Sequence, residues 1–409
     1  MSEGVSSEAE KQAPELWQFV PLSTYAQPEQ AAGSAAAAAW SSFLRLFHSA
    51  HHDDTAPVKK EDELRSLPEM QLEHLVGQID WRKASNALDA TLSGEAGAAI
   101  SGVQVLVGQP HCGHAEIVAD WAARHHAQII EPPSCEALLA NDGRWQVAWP
   151  ADGQPWVLTG LERFFLRTAN GLALARSLLE DMVSGRAGPG LAGCDSWAWT
   201  FLQRVSSLPL PMALTLQAFD GPRLSRLFAQ LVDAEGERRL RFRNARSGRD
   251  MLTVPCEDDN TASDEVAQLA AHCRGNVGTA RRYWRQRLRA VPDPAAELGD
   301  ANSKELEKKG DPEAEVVWVS AAQPELSLPL EANEDVALVL HALLLHNGLS
   351  DAVLPAVLPL PRHHCIAIVL RLQRLTLVEQ FEGRWRVSAL GYELVRGWLR
   401  GRGFLIDDF

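Results

Sequence analysis

Gly108 and Gly113 stand five residues apart, bracket Gln-Pro-His-Cys, and are followed by His114 and Ala115. Glycines at that spacing suit a loop whose backbone N–H groups cradle a phosphate at the start of a helix. In such a loop a lysine after the second glycine brings a fixed positive charge to the outer phosphates, and the hydroxyl that follows holds magnesium. Here the lysine position is His114, and histidine carries no fixed charge near neutral pH. Ala115 cannot ligate a metal. The loop offers amides to an anion but lacks the two side chains on which phosphoanhydride hydrolysis most depends.

Three further groups could act beside such a loop. Glu162 follows a short apolar strand and could activate water; its plain alternative is an ion pair with Arg163 or Arg167. Asp195 and Ser196 could contact a terminal phosphate, or cap the helix that starts at Trp197, and the cap is preferred. Arg281 and Arg282 could reach phosphates, or form a solvated basic face with Arg285, Arg287 and Arg289. No metal site is assigned. His111, Cys112 and His114 with Cys135, and His363-His364-Cys365, match no common zinc spacing. His51-His52-Asp53-Asp54 reads as a solvated loop. Neither a Gly-x-Ser-x-Gly elbow nor a His-Glu-x-x-His helix occurs.

The elements that must position these residues alternate. Val103, Val105, Leu106 and Val107 form an apolar run of the kind a buried parallel strand shows. A helix over 113–127 follows, then a strand over 128–130, a strand over 156–159 and a helix over 171–183. A strand over 191–194, a helix over 197–205 and a strand over 212–216 complete the alternation. Helical crossovers between such strands imply a parallel sheet covered on both faces.

At this point the chain resembles an AAA+ ATPase module. Gly108 to Ala115 stands at the phosphate loop, Trp156-Val-Leu-Thr-Gly-Leu-Glu-Arg at the Walker B strand, Leu191-Ala-Gly-Cys-Asp-Ser-Trp at the sensor-1 strand, and Arg274-Gly-Asn-Val-Gly-Thr-Ala-Arg-Arg at the sensor-2 helix. Each departs from the family: Walker B normally ends in Asp-Glu, and only Glu162 is present. The resemblance implies an α/β fold, with a five-stranded parallel sheet in the order 5-1-4-3-2 and the loop at its switch point. It also implies ATP or ADP as the nucleotide, and oligomers.

The remaining organisation follows from composition. Residues 1–60 are weakly patterned, with a short amphipathic helix around Trp40, Phe43, Leu44 and Phe47; residues 61–99 form a helical extension. The α/β core covers 100–217, a helical lid 218–290 and an acidic linker 291–335, with a strand-like island at Val316 to Val319. Arginines between 237 and 249 suggest a charged, hairpin-like excursion. Over 336–409, three helices at 336–346, 349–357 and 366–375, a hairpin around Glu382-Gly383 and a last helix resemble a winged-helix domain.

The 409 residues carry a net charge of −14, with a pI of about 5.4, which argues against whole-surface attraction to nucleic acid or anionic lipid. No apolar run approaches the roughly 18 residues of a membrane span, and the start Met-Ser-Glu-Gly lacks a secretory signal. A bacterial-type cytoplasmic protein is expected. The leading expectation is a degenerate AAA+-type regulatory or scaffolding protein, acting on a protein partner through the winged helix or the N-terminal helices. One alternative is a working ATPase in which His114 and Arg281 or Arg282 replace the missing charge. Another is a DNA-binding regulator using Arg371, Gln373, Arg374, Arg384 and Arg386.

Overall fold

The computed structural model describes residues 15–28, 64–93, 102–140, 147–150, 153–168, 170–232, 239–252, 263–291, 314–321, 324 and 326–409. The expected amphipathic helix near Trp40 and the His51–Asp54 cluster lie outside them. Among the described residues no helix is long and apolar enough to cross a membrane.

Strand β1 (Phe19–Pro21) and strand β2 (Arg65–Ser66) precede helices α1 (Glu69–Leu75) and α2 (Trp81–Ser93). The alternation then runs β3 (Val103–Gly108), α3 (His114–His125), β4 (Gln128–Ile129), α4 (Cys135–Ala140) and β5 (Trp156–Leu158). It continues through α5 (Ala173–Ser184), β6 (Gly190–Asp195), α6 (Ser196–Val205), β7 (Ala213–Leu216) and α7 (Gly221–Val232). Five of these strands pair parallel in the spatial order β7-β3-β6-β5-β4. In chain order of those five, this is 5-1-4-3-2. Val105, Leu106 and Val107 are buried because β3 lies inside the sheet with both faces covered.

The sheet is nevertheless six-stranded and mixed, not five-stranded and parallel throughout. β1 adds antiparallel to β7, with Phe19 opposite Leu216. Its three residues are too few for a period, and packing supplies the order instead. Trp17 and Phe19 are buried, and the Trp17 ring meets Phe219 edge-on at 5.3 Å.

A second sheet runs through the stretches the sequence suggests as helical lid and linker, beside the lid helices themselves. Strands β8 (Arg239–Asn244), β9 (Leu288–Ala290) and β10 (Ala314–Val319) join β2 in the order β2-β9-β10-β8. β10 lies parallel to β8 and antiparallel to β9, so the arginine-rich stretch pairs with the island at 314–319 and not with itself as a hairpin. Phe242, Leu288, Val317 and Val319 point into the core at period two. Helices α8 (Asp264–His272) and α9 (Val277–Arg287) pack beneath, where Trp284 stacks on Phe228 with centroids 4.9 Å apart.

The last part holds α10 (Glu334–Leu345), α11 (Leu354–Val357), α12 (Arg362–Arg374), the hairpin β11 (Val378–Phe381) and β12 (Arg384–Val387), and α13 (Tyr392–Gly401). Glu382 and Gly383 have φ of 49° and 73°, the left-handed pair a two-residue hairpin turn needs. The second helix is shorter than expected. Leu349 bridges to Trp385, and Val353 and Leu354 donate back to Ser350, so a turn precedes α11. The third begins earlier, directly after Pro361.

Candidate functional site

β3 ends at the carboxyl edge of the sheet, and Gly108 is there the register partner of Asp195 at the end of β6. The chain turns from Gly108 into α3 through two left-handed residues, His111 with φ 68° and Gly113 with φ 82°. Left-handed residues in such a turn point successive N–H groups to one side, making a concavity for an anion. Gly113 is obligatory twice over, since a Cβ there would also meet the Trp81 ring at 2.2 Å. His111 holds its conformation with an anchor: its Nε2 donates to the Val387 carbonyl at 2.9 Å.

The interior of the turn is filled by the turn itself. A Cβ on Gly108 would fall 2.4 Å from Cys112 Sγ and 2.7 Å from His114 Nδ1. The thiol accepts the backbone N–H of His114 and lies 3.5 Å from His114 Nδ1. Burial pushes the Cys112 thiol well up, so a neutral thiol occupies the direction in which a phosphate loop points its amides. His114 is buried, and its Nε2 has no partner among the described residues. Ala115 lies in the first turn of α3. From outside, Asn276 Nδ2 donates to the Pro110 carbonyl at 2.8 Å and to Gln109 Oε1 at 3.2 Å. The same side chain caps α9 by accepting from Gly278 and Thr279.

Glu162 sits in a 3-10 turn after β5, buried, with Oε2 accepting the backbone N–H of Asp195 at 3.0 Å. Asp195 caps α6 through Oδ1, which accepts the Trp197 N–H at 3.0 Å. Burial, and then the neighbouring Glu162, push the Asp195 carboxyl well above the usual range. Ser196 donates to Asp407 Oδ2 at 2.6 Å. Arg281 turns to the N-terminal extension, donating to Gly77 O at 2.8 Å and Val76 O at 3.2 Å. Burial and then the nearby Arg285 and Arg282 hold Arg281 down to about 10. Arg282 and Arg285 face Glu69, at 3.7 and 2.6 Å. The structure therefore gathers Gly108, Gly113, His114, Glu162, Asp195 and Ser196 at the sheet edge, and gives Arg281 and Arg282 to the packing of α1.

The sequence did not point to Tyr25, Gln109, Asn276, Asp407 or Phe409, which complete the surroundings. Asn276 had one usable signal, a cap residue directly before the helical pattern that opens at Val277. Nothing in the sequence places residues 404–409 beside the loop. The cavity that Tyr25, Gln109, Cys112, Asn276 and Phe409 line among the described residues measures about 20 Å³, room for one water. Magnesium and a triphosphate do not fit this arrangement: the concavity holds the Cys112 thiol, and the metal position holds Ala115.

No protein-family model matches the chain, and no curated protein matches it. Among solved structures it is similar to an arginine-to-alanine variant of RuvB from Thermotoga maritima, at 14% identity and a TM-score of 0.29, covering 79% of this chain and 96% of that one. It is also similar to the ORC1 protein of Aeropyrum pernix in complex with DNA, at 14% identity and a TM-score of 0.28, covering 83% of this chain and 95% of that one. With TM-scores this low, neither superposition bears on function.

Proposed function

We propose that this chain is a degenerate AAA+-type regulatory or scaffolding protein, which works through protein contacts and does not turn over ATP efficiently. The observation that carries the reading is the turn from Gly108 to His114. It has the left-handed residues of a phosphate loop, yet its concavity is filled by Cys112 and the ring of His114. Glu162 and Asp195 support it, being engaged with each other and with the α6 cap. A working ATPase built on Arg281 or Arg282 draws no support from their contacts with Gly77 and Glu69.

The tail over 334–401 is read as a winged-helix unit whose task is protein contact. Three of the five side chains a DNA reader would use have partners within the chain. Arg384 donates to the His346 carbonyl, Arg386 pairs with Glu379 at 2.8 Å, and Arg371 lies 3.5 Å from Glu331. A mobility shift with duplex DNA across a salt series tests the alternative, and salt-sensitive binding would favour it.

The test of the main reading is a calorimetric titration with ATP, in magnesium and in EDTA, on wild type and His114→Ala. The expected curves coincide in all four conditions, because no side chain at the turn ligates the metal. Affinity at least tenfold tighter with magnesium, lost in His114→Ala, would contradict the reading.

A further inference from the structure

Two adjoining spaces lie between the lid and the tail, and the turn after β3 lines only the first. One is the pocket in which Phe409 is 4% exposed, its ring 4.8 Å from that of Tyr25. The other is a cavity of about 390 Å³, within the size range of small-molecule sites, into which Arg274, Arg396 and Arg400 converge beside Gln27. The short segment from Asp407 to Phe409 divides them. Phe409 lines the first, and Asp407 lines the second.

The segment is held as a ligand would be. Arg396 is 4% exposed and donates to Asp407 Oδ1 at 2.7 Å, Asp407 O at 2.8 Å and Phe409 O at 2.6 Å. Arg274 also donates to Phe409 O, while its Nε is buried without a partner among the described residues. Tyr392 OH and Ser196 Oγ both donate to Asp407 Oδ2, at 3.0 and 2.6 Å. Arg400 is exposed, lines the cavity, and has no partner among the described residues. An aromatic wall on one side and three guanidinium groups on the other recognise a planar ring that carries negative charge. Phe409 and Asp407 supply that chemistry from within the chain.

We propose that residues 407–409 are a self-ligand, and that the cleft they divide takes a small aromatic anion of nucleotide class in their place. The ring lies against Tyr25, beside Gln109 and Cys112 of the filled turn, and the anionic group lies among Arg274, Arg396 and Arg400, in a cavity the turn does not line. A tethered competitor acts at roughly millimolar effective concentration, so the free ligand binds weakly until the segment leaves. The inference stands on the seam between lid and tail and does not require the function proposed above.

The test uses the full chain with ATP in EDTA as the probe. Wild type, Phe409→Leu, Phe409→Ala and Phe409→Ala with Arg400→Ala are titrated, with thermal melts to establish folding. Phe409→Leu keeps an apolar group in the pocket and serves if the alanine variant does not fold. Both single variants are expected to bind about tenfold tighter than wild type, and Arg400→Ala to remove the gain. Amide hydrogen exchange over 404–409 in the wild type is expected to rise as ATP is added. Equal affinity, or equal absence of binding, in the wild type and every folded Phe409 variant overturns the proposal. A gain that survives Arg400→Ala overturns the placement of the anion. Phosphate release is scored separately: hydrolysis by any variant contradicts the proposed function and leaves the self-ligand standing.

Discussion

Cys112 and Asp195 are both buried beside the turn, and burial disfavours the charged form of each. The Cys112 thiol is raised by burial, and thiolate, not thiol, is the nucleophile. Burial raises Cys135 as well, but that thiol is only half-buried, so iodoacetamide at pH 8 is expected to leave Cys112 unmodified in the native chain while Cys135 reacts, as peptide mass analysis would record; prompt labelling of Cys112 would contradict the filled turn. Asp195 is raised above its unfolded value, so its contribution to stability is complete at low pH and is lost as pH rises through the folded value. Asp195→Asn keeps the cap acceptor and removes the ionisable proton. It is expected to match wild type at low pH and to be more stable than wild type at pH 7, whereas Asp195→Ala is expected to lose about 1 kcal/mol at low pH, in chemical denaturation. At this scale the sequence was informative where a residue type acts locally. Glycine spacing found Gly108 and Gly113, and the Asp-Ser pair before Trp197 marked a cap. Arg281 was not legible, because its partner is backbone roughly 200 positions earlier, with |i−j| of 204 and 205.

Strands and helices were legible in proportion to their periodicity. β3, α3, α5 and the tail hairpin follow directly from apolar runs, amphipathic spacing and a Glu-Gly turn. β1, β2 and β9 are two or three residues long, lie outside the strand–helix alternation that marked the equally short β4 and β5, and exist because a partner edge was available. The second sheet escaped for a related reason: β8 and β10 are paired across a long stretch of chain, with Arg239 opposite Ala314. One contact between elements is unusually tight. A Cβ on Gly278 at the start of α9 would lie 1.9 Å from the His111 carbonyl oxygen. The obstacle is backbone, which cannot rotate aside. Gly278→Ala is expected to cost about 1–3 kcal/mol in urea unfolding and to speed hydrogen exchange in the 108–114 turn. Wild-type stability in that variant would mean the lid helix does not rest on the turn.

Across the whole molecule the tail is docked on the sheet edge through buried histidines and a buried carboxylate. His111, His341 and His346 are held down to about 4, about 4 and about 3, by burial first, then by Arg386 beside His111 and Arg167 beside His341. His111 bonds to Val387, His341 to Leu405, and the Arg167 backbone donates to His346. Values below the usual 6.5 mean their contribution is complete above that pH and lost as pH falls through 4 toward 3. Hydrogen exchange in the tail is expected to accelerate between pH 5 and 3; unchanged protection at pH 3 would contradict the docked seam. Glu393 shifts the other way, raised to about 7 by burial. Its contribution is complete below the unfolded value of 4.5 and lost as pH rises through 7. Glu393→Gln is expected to be about 1–3 kcal/mol more stable than wild type at pH 8 and equal to it at pH 4. The central claim is that the turn from Gly108 to His114 is a structural joint with its phosphate chemistry gone. Its most direct test is steady-state phosphate release at millimolar magnesium-ATP by the purified full chain and by His114→Ala. The account predicts rates at the enzyme-free background for both; steady turnover by the wild type that His114→Ala abolishes would contradict it.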